Sequence, residues 1–147
     1  MTQALPEQNR LLNSLPQEVQ RRLFPKLEMM SLEQGSVLHE AAVKLAYVYF
    51  PIDNIVSLLH ILEDGTTTEV AVIGNEGMIG VSVFMSGHNT PSQALVLTTG
   101  TVYRLSTRHF IDELNQPDAI LRMLLLLRYS QALITQMAQT VVCNRHH

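Results

Sequence analysis

The chain has 147 residues, 10 Lys+Arg against 13 Asp+Glu, and a formal charge of −3. Its apolar content of 46% excludes global disorder, and its charged content of 16% falls below the roughly 25% usual for a free-standing domain, which points to apolar surface that meets a partner. The single cysteine, Cys143, rules out a disulfide, an iron–sulfur cluster or a cysteine-based zinc site within one chain, and points to a reducing compartment.

Glu7–Asn13 and Pro16–Leu23 read as two short helices. Ser14 is the expected cap of the second, with Pro16 in its first turn, and Pro25 is expected to stop it. From Leu27 the pattern changes to short β-type runs between turn signals. The runs are Leu27–Met30, Val37–His39, Ala46–Phe50, Ile55–Leu62, Thr66–Ile73, Ala94–Thr98 and Thr101–Leu105. Asp64-Gly65, between two such runs, is the strongest hairpin signal. Short strands punctuated by glycine imply an antiparallel sandwich or barrel.

After Thr107, an expected cap, a short helix runs to Leu114, and Pro117-Asp118 is expected to open a long helix reaching Cys143. One apolar set on it is Ile120, Leu124, Leu127, Ile134, Ala138 and Val141; a second is Met123, Leu126, Leu133 and Met137. Two stripes mean two packing surfaces: one covers the β-structure, and the other suits a symmetric helix–helix dimer. The plainer alternative is a single wide stripe buried in its own domain. The parts are therefore N-terminal helices (1–26), a β-structured region (27–106) and the helical end (107–147), all one structural domain. The longest apolar run, Leu45–Phe50, has six residues, far short of the ~18 of a membrane span, and Met1–Arg10 has no signal-peptide core. The expected location is the cytoplasm.

Residues 41–106 carry only Lys44 and Arg104 against Asp53, Glu63, Asp64, Glu69 and Glu76. No segment has the Lys/Arg stripe that neutralises nucleic-acid phosphates, so this chain alone is not expected to bind DNA. From Gly77 to Tyr103 there is no Lys, Arg, Asp or Glu.

Tyr47–Ser57 and Glu69–Gly80 resemble the sensor domain of Crp/Fnr-type transcription regulators, and Gln131–His147 resembles their dimerisation helix. The resemblance implies a mainly β fold with flanking helices: a double-stranded β-helix (jelly roll) of the cyclic-nucleotide-binding type, followed by a long C-terminal helix. It implies homodimerisation through Met123, Leu126, Leu127, Leu133, Ile134, Met137 and Val141. Family members continue into a winged helix-turn-helix that reads DNA; this sequence stops where that module is expected to begin.

In the family, a cyclic nucleotide's phosphate sits in a glycine-rich turn at a helix start, where N–H groups face the anion. A Glu after the glycine holds the ribose, and an Arg some ten residues on pairs with the phosphate. Gly80 matches the glycine, but Val81 stands at the Glu, and Ser92 or Gln93 stands where the Arg is expected. What remains is the turn Gly80–Ser82 and the neutral donors Thr90, Ser92 and Gln93, with Thr135, Gln131 and Arg128 within reach if the long helix covers the pocket. The expectation is a domain that does not bind cyclic AMP in the usual way and takes a neutral or apolar effector of unknown identity, or none. The plain alternative for Gly74, Gly77 and Gly80 is a tight strand-to-helix connection, and for the three helix residues it is a solvated or interhelical role.

No cofactor or metal is expected. Cupin-type metalloenzymes share this fold class but need converging histidines and a carboxylate. His39, His60, His88 and His109 are far apart in sequence, and the neighbours His39 and Glu40 would point to opposite faces of a strand. His146 and His147 stand together at the end of the sequence. A metalloenzyme is thus a remote reading. An interaction module that takes no ligand and pairs with a full-length relative is the nearer alternative, and a haem role for a histidine stays open.

Overall fold

The computed structural model describes residues 4–41, 44–81, 83 and 92–129. Its strands are β1 (Glu28–Leu32), β2 (Val37–His39), β3 (Tyr47–Pro51), β4 (Val56–Ile61), β5 (Thr67–Ile73), β6 (Ser92–Val96) and β7 (Gly100–Ser106). They form two antiparallel sheets, ordered β1-β7-β3 and β2-β6-β4-β5. Every expected strand is present, with ends displaced by no more than two residues. The hairpin turns at Asp64-Gly65: Gly65 N–H donates to the Leu62 carbonyl at 2.9 Å, and Gly65 holds the positive φ of 87° that such a three-residue loop requires.

Period-2 alternation sorts the side chains of the three-stranded sheet. Val48 and Phe50 of β3 and Tyr103 and Leu105 of β7 face the helices. Tyr49 and Val102 face inward, against Val56 and Ala94 of the second sheet. The helical layer supplies Leu11, Leu12, Leu15, Val19, Leu23, Phe110, Leu114, Leu121 and Leu125, all buried.

The helix starts differ from the sequence expectations, each for a local reason. The first predicted helix is broken at Asn9, giving a 3-10 turn (Pro6–Gln8) and α1 (Arg10–Asn13). Asn9 is fully buried: its Oδ1 accepts from Leu12 N–H at 3.0 Å, and its Nδ2 donates to the carbonyls of Pro51 and Gly77 at 2.8 and 2.9 Å. A buried amide satisfied on both sides fixes the bend there. Ser14 does not cap α2 (Gln17–Leu23); Pro16 holds the cap position, while Ser14 Oγ donates back to the Leu11 carbonyl at 2.6 Å. Pro25 lies inside a 3-10 turn (Phe24–Lys26) that prolongs α2. The cap of α3 (Thr107–Leu114) is Ser106, whose Oγ accepts from His109 N–H at 3.2 Å; Thr107 instead donates to the Leu45 carbonyl at 2.8 Å.

The last helix, α4, begins at residue 120 rather than at Pro117-Asp118 and is described as far as residue 129. Ala119 precedes it with φ 53°, so the chain leaves the turn through the left-handed region before the helix can start. The expected continuation to Cys143 lies outside the described residues. The fully buried residues of α4 are Leu121 and Leu125, four apart; Ile120 and Leu124 of the expected stripe pack partly buried against the same core, while Leu127 is exposed. Arg22 of α2 braces this end: Nε and Nη2 lie 3.1 and 2.7 Å from Oε1 of the buried Glu113, and Nη2 is 3.0 Å from Asp118.

Candidate functional site

β5 ends at Ile73 and enters the turn 74–77. Gly74 N–H donates to the Glu76 carboxylate at 3.1 Å, and Arg10 N–H donates to the Asn75 carbonyl at 2.7 Å. Helix α4 reaches the same turn, where Arg128 Nη2 donates to the Glu76 carbonyl. A Cβ on Gly77 would stand 3.1 Å from the Tyr129 hydroxyl oxygen, so only glycine fits there without displacement. Burial raises the Tyr129 phenol above its usual pKa, partly offset by a hydrogen bond to the Met78 backbone.

Past the turn, Ile79 pairs with Tyr49 of β3 through two backbone bonds of 2.8 and 2.9 Å. Gly80 follows with φ 104°, and a Cβ there would meet Val48 Cγ1 at 2.9 Å. Val81 is half-buried beside it. The glycine of the resemblance is thus required by packing on β3, whatever it binds.

The other sequence-derived candidates divide. Ser92 is buried at the start of β6 and shares the inward face with Ala94. Gln93, the next residue, takes the opposite face and donates to Glu40 at 2.9 Å, so the amide standing where the family's arginine is expected is engaged with an acid. Ser82, Thr90, Gln131 and Thr135 lie outside the described residues, as do Leu133, Ile134, Met137 and Val141. Met123, Leu126 and Leu127 are exposed by 59%, 49% and 80%, on a face of α4 that the core does not use. Among the described residues, no group of three His, Cys, Asp or Glu could hold a metal, and no helix is long and apolar enough to cross a membrane. His39 is half-buried, and burial lowers its pKa below the ordinary value, opposed by hydrogen bonds to Glu40 and Ser92.

Sequence reasoning missed Arg104. In register it stands between Glu28 of β1 and Tyr49 of β3, one inward position along from Val102. Its guanidinium carbon lies 4.1 Å from the centre of the Tyr47 ring, and Nη2 is 3.4 Å from Glu28 Oε2. Its Nε is buried with no hydrogen-bond partner among the described residues. The signal was in the alternation: a charge two residues after Val102 faces the same side as that core residue.

With this geometry in view, the family follows. The cyclic nucleotide-binding domain matches residues 29–116, more than half of the chain, and the chain belongs to that family. It is a jelly roll like the sensor domains of Crp/Fnr-type regulators. The catabolite activator protein of Thermus thermophilus superposes with a TM-score of 0.75 at 12% identity, over 91% of this chain and 62% of that one. The sensor domain of the transcriptional regulator DNR from Pseudomonas aeruginosa gives 0.72 at 17% identity, over 90% and 88%. The regulatory subunit of a cAMP-independent protein kinase A from Trypanosoma cruzi, bound to guanosine, gives 0.75 at 19% identity, over 94% and 48%. The chain therefore spans under two thirds of the length of the Thermus protein, and these likenesses concern the fold. No curated protein matches it by sequence.

Proposed function

We propose that this chain senses a small effector in its β-roll and dimerises through α4, as part of a Crp/Fnr-type regulatory system, without catalysis and without binding DNA through these residues. The observation that carries this reading is the contact between α4 and the ligand-side turn. Arg128 and Tyr129 abut residues 74–77, while Met123, Leu126 and Leu127 of the same helix point away from the core. Occupancy of the roll can then bias helix packing between two states.

The effector is not cyclic AMP held in the usual way. Losing a hydrogen bond to a charged group forfeits about 1.5–3 kcal/mol, about tenfold or more in affinity, and both charged clamps of the family are absent from Gly77–Tyr103. The Trypanosoma cruzi neighbour, described as cAMP-independent and bound to guanosine, supports a roll of this shape working with another ligand.

Sedimentation equilibrium of the full chain and its Leu127→Asp variant, with calorimetry against cyclic AMP and cyclic GMP, tests the proposal. A dimer that becomes monomeric in the variant, with neither nucleotide bound at micromolar concentration, is expected. A parent monomer, or micromolar binding of either nucleotide, overturns it.

A further inference from the structure

We infer that the roll carries an anion site on β7, in which Arg104 grips a planar acid group and Tyr47 and Tyr49 line the wall for an aromatic or apolar body. This rests on the sensing role proposed above and names the ligand class.

Arg104 occupies an inward position on β7 among largely apolar neighbours, where a cation needs compensation. The compensation present is partial. Glu28, the nearest acid, is 57% exposed and sits at 3.4 Å, long beside the ~2.7–2.9 Å of a charge-assisted bond. Tyr47 covers one face of the guanidinium but takes none of its in-plane N–H donors. Nε, buried, has no acceptor among the described residues. A guanidinium presents a flat fork that matches a carboxylate two bonds at a time. With Tyr47 closing one face, the edge from Nε to Nη2 carries only the long contact of Nη2 with Glu28. An incoming acid reaches that edge by displacing Glu28, and Arg104 is open enough, at 26% exposure, to be approached. The Tyr47 and Tyr49 rings, with centres 6.4 Å apart and planes at 49°, offer an aromatic wall beside it. Arg104 is also the first Lys, Arg, Asp or Glu after Glu76. The family's anion position is thus blank, and the cation inside the roll lies on a different strand.

Glu28 is then a competitor for the ligand, and this separates a binding site from a structural ion pair. The test titrates the full chain with benzoate, inorganic phosphate, guanosine and cyclic AMP. It follows binding by calorimetry and the Arg104 Nε–H resonance, assigned by its loss in Arg104→Lys. Benzoate is expected to bind once per chain and shift that resonance; Arg104→Gln is expected to weaken it about tenfold or more, and Glu28→Gln to tighten it severalfold. Glu28 shares the face of its cross-strand partner Arg104 but is 57% exposed, so its variant keeps the test alive should Arg104→Gln fail to fold. Benzoate binding weaker than about 10 mM, unchanged binding in Arg104→Gln, or weaker binding in Glu28→Gln overturns the site. Guanosine, cyclic AMP or phosphate binding that leaves the Arg104 resonance unmoved, with benzoate inert, overturns this site while leaving a sensing roll in place. A monomeric parent overturns the dimer reading without touching Arg104.

Discussion

Gly80 is the residue at which a ligand account and a packing account of the glycine-rich turn part company. Alanine there meets two penalties. The first is conformational: φ is 104°, and a left-handed position disfavours an L-residue by about 1–2 kcal/mol. The second is steric: the new Cβ would lie 2.9 Å from Val48 Cγ1, 3.3 Å from Val48 Cβ and 3.4 Å from Leu45 Cδ1. Val48 is fully buried, β-branched and paired with Leu105 of the central strand β7, so it has little freedom to yield. Overpacking of this kind destabilises by about 1–3 kcal/mol. Gly80→Ala is therefore expected to lose about 2–5 kcal/mol, or about 10 °C or more in Tm for a domain of this size. Urea and thermal unfolding of the ligand-free chain measure it. A double-mutant cycle with Val48→Ala separates the two penalties. Removing Cγ1 relieves the clash but not the strain, so the pair is expected to be about 1–2 kcal/mol more stable than additivity allows. If Gly80→Ala unfolds within about 0.5 kcal/mol of the parent, or the two losses simply add, the packing explanation is wrong and the glycine belongs to the ligand.

Ala119→Gly is expected to stabilise the chain by about 0.5–1 kcal/mol, because glycine relieves the φ of 53° and gives back part of the gain in chain entropy; thermal unfolding checks it, with Ala119→Val shifting Tm the other way. Asn54 is buried with both Oδ1 and Nδ2 lacking partners among the described residues, so the near-isosteric Asn54→Leu is expected to gain about 1 kcal/mol or more in urea unfolding; a loss would mean that the amide is satisfied in solution. Burial holds the His39 pKa below 6.5, so the folded state binds its proton less readily than the unfolded chain does. That contribution to stability is complete above pH 6.5 and is lost as the pH falls below it toward the folded-state value, and His39→Gln is expected to flatten this limb of the stability–pH curve.

The β-structure was legible because its signals are local and redundant. Alternation in β3 and β7, and glycines at 35, 65 and 100, each point to the same strands and turns. Caps were less legible, because Ser14, Ser106 and Thr107 are chemically interchangeable and other acceptors compete for them: the local Leu11 carbonyl takes Ser14, and the distant Leu45 carbonyl takes Thr107. The core stripe of α4 was obscured by composition. Residues 123–127 are all apolar, so Leu121 and Leu125 do not stand out from Leu124, Leu126 and Leu127 until the sheet shows which face it covers. Arg104 escaped for a different reason: the resemblance directed attention to the segment where the family keeps its arginine, and this chain's cation lies one residue beyond the end of the uncharged stretch, on β7.

A glycine-rich motif is weak evidence for a phosphate when each glycine has a steric neighbour of its own. Gly77 is confined by Tyr129, and Gly80 by Val48 and Leu45. Both would be kept by the fold after any anion contact had been lost, so a match over residues 29–116 reports the roll more directly than it reports what the roll holds. Ligand chemistry has to be read from charged groups whose hydrogen-bonding capacity the fold leaves partly unused. Arg104, whose buried Nε has no partner among the described residues, is such a group, and its placement also bears on how a signal could leave the roll. Its cross-strand neighbour Tyr49 is tied through both backbone bonds to Ile79, and two residues before Ile79 the chain presses on Tyr129 of α4. A ligand that moves Tyr49 therefore moves a segment already in contact with the helix whose apolar face is exposed, with no contact required from the family's usual phosphate turn.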